Sequence, residues 1–172
     1  MSQQNTHTNT ITAQALVSAP VAASRTAWVA WMRGDDTVPA ELLLPAMLDE
    51  GSRDALLLYP HRGDWHHSDP TTGRTWNLNA RELLTLGANG APNEDLSNRI
   101  LDGLGNVLDD VTRNDDEHAT ALAAQGFLAW DAENNAAALM WTAEALQHNP
   151  GNRLATILDD ALHNSRLPLW RR

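Results

Sequence analysis

The chain has 172 residues, 42% of them hydrophobic, and a formal net charge of −10. That length suits one domain and can bury a core without disulfides or a structural metal. There is no Cys and no Lys, all 12 basic residues being Arg, which excludes thiolate catalysis, Cys-based metal sites, Schiff-base chemistry and the phosphate-loop lysine.

Residues 1–12 are rich in Gln, Asn and Thr and read as a disordered N-terminal arm. Residues 13–172 read as a single helical domain. A short helix is expected over Ala13 to Ser18, and Ser24 is a candidate cap for a second helix ending at Met32. Trp28, Trp31 and Met32 stand at i, i+3, i+4 and so share a face. Pro39 suits the first turn of the next element, where Leu42, Leu43, Leu44, Met47 and Leu48 make a wide apolar face. Pro45 lies inside that run and removes a donor, so a kink is expected there. Gly51 should stop this helix and Ser52 should cap the next, Arg53 to Tyr59.

His61 to Asn79 differs in kind. It is polar, with Trp65 and Trp76 at its shoulders and Asp69-Pro70-Thr71-Thr72-Gly73 between them. Asp-Pro opening a turn and Gly closing it suit a small β-hairpin near 64–78, with strands near 64–68 and 74–78. An irregular ordered loop is the alternative. Asn79-x-x-Glu82 spells a capping box for a helix reaching Leu86. After a linker over Gly87 to Ala91, Leu96, Ile100, Leu104, Val107, Leu108 and Val111 follow the helical period. Gly103 and Gly105 interrupt it, either to admit a neighbouring helix or to mark a break.

Three closing helices follow. The first aligns Ala119, Leu122, Ala123, Gly126, Phe127 and Trp130 behind an acidic first turn, Asp115-Asp116-Glu117. The second, reaching His148, is read as packing through Ala136, Leu139, Met140, Ala143 and Leu146. Asn149-Pro150 caps the third, which offers Leu154, Ile157, Leu158, Ala161 and Leu162. The expected fold class is therefore mainly α, a compact multi-helix bundle of antiparallel helix hairpins.

The pattern Ala143, Leu146, Asn149-Pro150, Asn152, Ala155 and Leu158 resembles a single tetratricopeptide-type helix pair, without a second copy at the repeat period. The stretch Ala123 to Pro168 is similar to the C-terminal region of an actinobacterial family, the domain of unknown function numbered 4192. That resemblance rests on Trp130, Ala145-Leu146, Asn149-Pro150-Gly151, Leu154-Ala155, Leu158 and Leu167-Pro168, with Arg53-Asp54-Ala55 upstream. It implies a helical fold and brings no catalytic residues, no cofactor and no known activity.

His61, Asp64, His66 and His67 form the candidate metal-binding group, since imidazole and carboxylate are common zinc ligands. If the segment is a strand, His66 and His67 face opposite ways, so only one can join His61 and Asp64. Trp65, Trp76, Trp170 and Arg171 are the candidate partner-binding residues, because Trp and Arg are typical interface anchors. For Trp170 the alternative is a ring folded back onto the bundle. Asp109, Asp110, Asp115, Asp116 and Glu117 form an acidic cluster that either caps helices or imitates phosphates, as in a phage or mobile-element inhibitor.

The acidic balance disfavours direct nucleic-acid binding, which relies on basic side chains. No apolar run has the length of a membrane span, and the N-terminus lacks the features of a signal peptide. The expected protein is a cytoplasmic, non-enzymatic protein–protein interaction module that needs no cofactor. A metal-binding protein using the His61–His67 loop and an acidic inhibitor mimicking nucleic acid are the alternatives.

Overall fold

A computed structural model describes residues 19–62, 76, 78–112 and 114–172. The expected N-terminal arm, the short helix over Ala13 to Ser18 and nearly all of the hairpin near 64–78 lie outside the described residues. Within them the chain is a compact helical bundle with eight α-helices and no strand. These are α1 (Ala19–Met32), α2 (Leu44–Leu48), α3 (Glu50–Leu57), α4 (Ala80–Gly87), α5 (Glu94–Asp110), α6 (Asp115–Asp131), α7 (Asn135–His148) and α8 (Arg153–His163).

Asparagine starts most of these helices. The side chains of Asn93, Asn114, Asn134 and Asn152 each accept from a backbone N–H in the first turn of α5, α6, α7 and α8, so the cap of α8 is Asn152 and not the expected Asn149-Pro150, where Asn149 ends α7. Each thereby satisfies a donor the helix itself leaves open. At α4 the capping box is complete: Asn79 accepts from Glu82 N–H at 3.0 Å, and Glu82 accepts from Asn79 N–H at 2.8 Å.

Two serines expected as caps serve elsewhere. Ser24 lies inside α1, buried, where its hydroxyl donates to the Leu43 carbonyl at 3.0 Å and accepts from Ala46 N–H at 2.9 Å. It joins α1 to the break before α2. Ser52 lies inside α3, and the cap is Asp49, which accepts from Ser52 N–H at 2.9 Å. Gly51 accordingly sits within α3 and stops nothing. The leucine-rich run divides before Pro45, at Leu43, into a 3-10 turn at Ala40–Leu42 and the short α2, so Pro45 stands in a first turn, where its missing donor is not needed, and not at a kink. The orphaned Leu43 carbonyl also receives the Trp28 indole N–H at 2.8 Å.

The core is arranged around α6. Eleven of its 17 residues are buried, which is more than one helical stripe can supply, so partners cover it on several sides. Ala121, Ala124 and Leu128 join the main core with Trp28, Trp31, Leu43, Met47, Leu56, Ile100 and Leu104. Ala129 and Trp130 join a satellite core with Ala138, Leu158 and Ala161. Leu122 and Ala123 meet Ala145 and Ala155 in a third.

Helix α7 packs mainly through the face the periodicity did not select, and of the expected set only Leu146 is partly buried, against the third core. Ala138, Thr142 and Ala145 are buried, whereas Ala136, Leu139, Met140 and Ala143 are exposed. Both faces of α7 are apolar, so spacing alone could not choose between them. The smaller side chains win because α6 offers Gly126 there. A Cβ at Gly126 would come within 2.8 Å of Thr142 Oγ1, and only small residues allow backbones to approach so closely. In α8 the buried set is Ala155, Leu158 and Ala161, and Ile157 is left 55% exposed.

Candidate functional site

Three elements converge where α6 ends: the 3-10 turn Tyr59–His61, the α6–α7 turn, and the C-terminal turn Leu169–Arg171. His61 is their buried centre. Its side chain is fully buried and that of Asp131 is 5% exposed. His61 Nε2 lies 2.7 Å from Asp131 Oδ2, and Nδ1 lies 2.8 Å from the Gly90 carbonyl oxygen. A carbonyl only accepts, so Nδ1 carries a proton. The Nε2–Oδ2 contact needs a second proton between two groups that otherwise both accept. Burial pulls the imidazole pKa down, but the Asp131 carboxylate and the Gly90 carbonyl together raise it above its ordinary value.

This geometry defines what His61 can do as a metal ligand. Both ring nitrogens are already occupied, so coordination would first have to break the Asp131 or the Gly90 contact. Asp64, His66 and His67, the other members of the expected metal group, lie outside the described residues. Among the described residues no cluster of three or more His, Asp or Glu side chains is placed to hold a metal ion.

The tail folds back on the bundle. Trp170 is half-buried and its indole N–H donates to the Asp131 carbonyl at 3.0 Å. Asp131 thus binds His61 through its side chain and Trp170 through its backbone. Arg171 forks onto Glu133, with Nε 2.8 Å from Oε1 and a terminal nitrogen 2.6 Å from Oε2. Its guanidinium also stands 4.5 Å from the centroid of the Trp170 ring. The bidentate Arg171 contact holds the Glu133 carboxyl below its ordinary value. Trp76 is placed differently from expectation. It is 2% exposed and packs in the main core, with the Arg25 guanidinium 5.8 Å from its ring. A ring so enclosed offers a partner no surface, and its role is packing. Trp65 lies outside the described residues.

Beside the tail runs an open groove of about 460 Å³, of the size that holds a ligand or peptide side chains. Its walls include Pro92, Leu101, Trp141 and Trp170, and its rim carries Glu94 and Glu133. Among the described residues no basic side chain lines it. Trp141 is half-buried. The indole N–H groups of Trp28, Trp31, Trp130 and Trp170 donate to the carbonyls of Leu43, Arg99, Arg166 and Asp131 respectively. That of Trp141, which lines the groove, has no such partner among the described residues. Sequence reasoning passes over Trp141 because it sits inside an alanine-rich helix, where a Trp reads as core.

The acidic cluster is partly committed to structure. Asp115 Oδ1 is 2.9 Å from His148 Nδ1, and Asp116 Oδ1 accepts from Asn149 Nδ2 at 2.8 Å. Both contacts tie the start of α6 to the α7–α8 turn. His118 and His148 stack there with ring centroids 5.0 Å apart.

No helix among the described residues is long and apolar enough to cross a membrane. Comparison of the chain with protein-family models, with curated proteins and with solved structures found no match.

Proposed function

We propose that this chain is a non-enzymatic protein–protein interaction module, and that its binding face is the groove between Trp141 and Trp170. The observation that carries this reading is the groove's lining: Trp141 and Trp170 stand beside Pro92 and Leu101, with Ser97, Asn98 and Asn134 between them and the Glu94 carboxylate on the rim. Aromatic side chains anchor interfaces by burying large area at little entropic cost. Glu133 is already paired with Arg171, so the Glu94 carboxylate and the net charge of −10 are what favour a partner segment that carries arginine.

The chain's own Arg171 illustrates the recognition chemistry. It lies over Trp170 while forking onto Glu133. Trp141 and Glu94 line the same groove, so a partner arginine can be received there by an aromatic ring and a carboxylate. The tetratricopeptide-like pattern across α7 and α8 supports the same reading, because Trp141 stands on the first helix of that pair.

Titration with short arginine-containing peptides, followed by tryptophan fluorescence and calorimetry, tests it. The best peptide should lose at least tenfold in affinity against Trp141→Ala and again when its arginine is replaced by glutamate. It should also bind more weakly as salt rises. Equal binding to the Trp141→Ala protein would remove the groove from consideration.

A further inference from the structure

We infer that Asn89–Gly90 is a modification site, where the chain cyclises through the Asn89 side chain, loses ammonia and reopens as isoaspartate, and that this change loosens the clamp on His61. Nothing in the chemistry depends on what the groove binds.

The dipeptide is the one Asn-Gly in the sequence. It lies in the turn after α4, and both residues are exposed. Gly90 has a φ of +101°, a conformation that side-chain-bearing residues rarely adopt, while a Cβ there would meet nothing within 4 Å. The shape of the turn, and not crowding, therefore calls for glycine, and the Gly90 nitrogen carries no side chain beside it to shield it. Among the described residues the Gly90 N–H donates to no acceptor, whereas the Asn89 N–H is held by the Leu86 carbonyl at 3.0 Å. The Asn89 amide is tied only by Nδ2 to the His61 carbonyl at 3.4 Å, which is long for a hydrogen bond.

Asn164–Ser165 shows the contrast. Ser165 also has a positive φ, of 51°, and is small. There, however, Asn164 Nδ2 donates to the Asp160 carbonyl at 2.8 Å and to its carboxylate at 2.9 Å, and the Ser165 N–H donates to the Leu162 carbonyl at 3.1 Å. Both groups that would have to react are engaged. At Asn89–Gly90 both are available.

The reaction balances with water alone. The Gly90 nitrogen gives up its proton and bonds to Asn89 Cγ. The Cγ–Nδ2 bond breaks, and Nδ2 leaves with that proton as ammonia. The Gly90 nitrogen is then bonded to both carbonyl carbons of residue 89 in a succinimide ring. Water adds to the backbone carbonyl carbon, and the bond from that carbon to the Gly90 nitrogen breaks. The main chain now runs through Cβ and Cγ of residue 89, and the former backbone carbonyl is a carboxylate. Opening at Cγ instead gives ordinary aspartate. Nothing is oxidised or reduced.

The altered turn is the one that holds His61. Asn89 Nδ2 donates to the His61 carbonyl, the Gly90 carbonyl accepts from His61 Nδ1 at 2.8 Å, and the Asn93 N–H donates to the Pro60 carbonyl at 2.9 Å. Isoaspartate removes the first donor and lengthens the main chain within this span by one C–C bond, about 1.5 Å. A 2.8 Å hydrogen bond does not survive a displacement of that size. The Gly90 contact opens, and the His61 ring keeps Asp131 alone.

The test uses the full chain, incubated in neutral buffer at physiological temperature both folded and in denaturant. Peptide mapping with fragmentation that separates aspartate from isoaspartate follows each asparagine. In the folded protein Asn89 should convert at least tenfold faster than Asn164, with isoaspartate the larger product. Conversion adds one negative charge to a chain that carries −10, so ion exchange separates aged from fresh protein. The aged fraction should melt at a lower temperature and lose the protected His61 Nδ1–H signal in NMR spectra. Asn89→Gln, which needs a larger ring to cyclise, should keep both through the same incubation. Folded protein whose Asn89 stays intact while the denatured chain converts overturns the inference, because the fold then shields the dipeptide. Protein that carries isoaspartate at position 89 yet keeps the fresh melting temperature and His61 signal overturns the link to the clamp. Ageing that Asn89→Gln does not prevent places the change elsewhere and overturns the inference as well.

Discussion

Gly103 and Gly105 stand two residues apart in α5, and the same substitution should have opposite effects at the two. A Cβ at Gly105 meets nothing within 4 Å. Gly105→Ala should therefore gain the ordinary helix-propensity difference, about 1 kcal/mol. A Cβ at Gly103 would lie 2.7 Å from one ring carbon of Trp28 and 2.8 Å from Trp31 Nε1. Carbon atoms pack best at about 3.5–4.0 Å, so the indoles would have to retreat by most of an ångström. Neither ring is free to do so. Trp28 is fully buried and its N–H is held by the Leu43 carbonyl at 2.8 Å. Trp31 donates to the Arg99 carbonyl at 2.7 Å, and Arg99 in turn lies over its ring at 4.1 Å and donates to its carbonyl at 2.8 Å. Overpacking a fixed core site costs about 1–3 kcal/mol, and straining either indole hydrogen bond adds about 1 kcal/mol. Set against the propensity gain, Gly103→Ala should destabilise by about 2 kcal/mol. For a domain of this size that lowers Tm by roughly 4–8 °C, while Gly105→Ala raises it by roughly 2–4 °C. Urea denaturation and thermal scans of both variants decide the matter. A Gly103→Ala protein at or above the wild-type Tm would refute the claim that α1 and α5 are locked together through these rings.

The His61–Asp131 pair should make stability depend on pH. The folded-state pKa of His61 is raised, so its contribution is fully present below about pH 6.5, the ordinary value. It is lost as pH rises through the higher folded value. Denaturation midpoints should therefore fall as pH climbs past the ordinary histidine value in the wild type and stay flatter in Asp131→Asn; parallel curves would contradict the assignment. His61→Ala should cost about 3–5 kcal/mol, because it leaves the Asp131 carboxylate buried and alone. At the α6–α7 contact, Gly126→Ala should destabilise by about 1–3 kcal/mol, since its Cβ would press on Thr142 Oγ1. Thr142 Oγ1 is buried and has no hydrogen-bond partner among the described residues. Thr142→Ala should therefore restore most of that loss in the double variant, and a double-mutant cycle with no coupling would argue against direct contact.

Much of the architecture was legible because it is written in local chemistry. Asn79 and Glu82 announce a capping box by their spacing alone, and the box is present. Pro45 removes a backbone donor wherever the chain goes, and the leucine-rich run breaks just before it, leaving Pro45 in the first turn of α2. The period of Leu96, Ile100, Leu104 and Val107 identifies the buried stripe of α5. Serine was less readable. A hydroxyl can cap a helix or link two elements, and Ser24 does the latter because Leu43 and Ala46 come to it from another part of the chain. The fold-back of Trp170 was one of two open alternatives. It depends on the Asp131 carbonyl, 39 residues away in sequence.

The sequence by itself determined that the chain is helical, acidic and cysteine-free, and where α4, α6 and α7 lie, because capping, propensity and periodicity act within a few residues. Tertiary structure alone decided which apolar face of α7 is buried, that Gly103 holds two indoles, and that His61 meets Asp131 across 70 residues. Those outcomes depend on which surfaces approach closely enough to exclude water, and no local pattern encodes that distance.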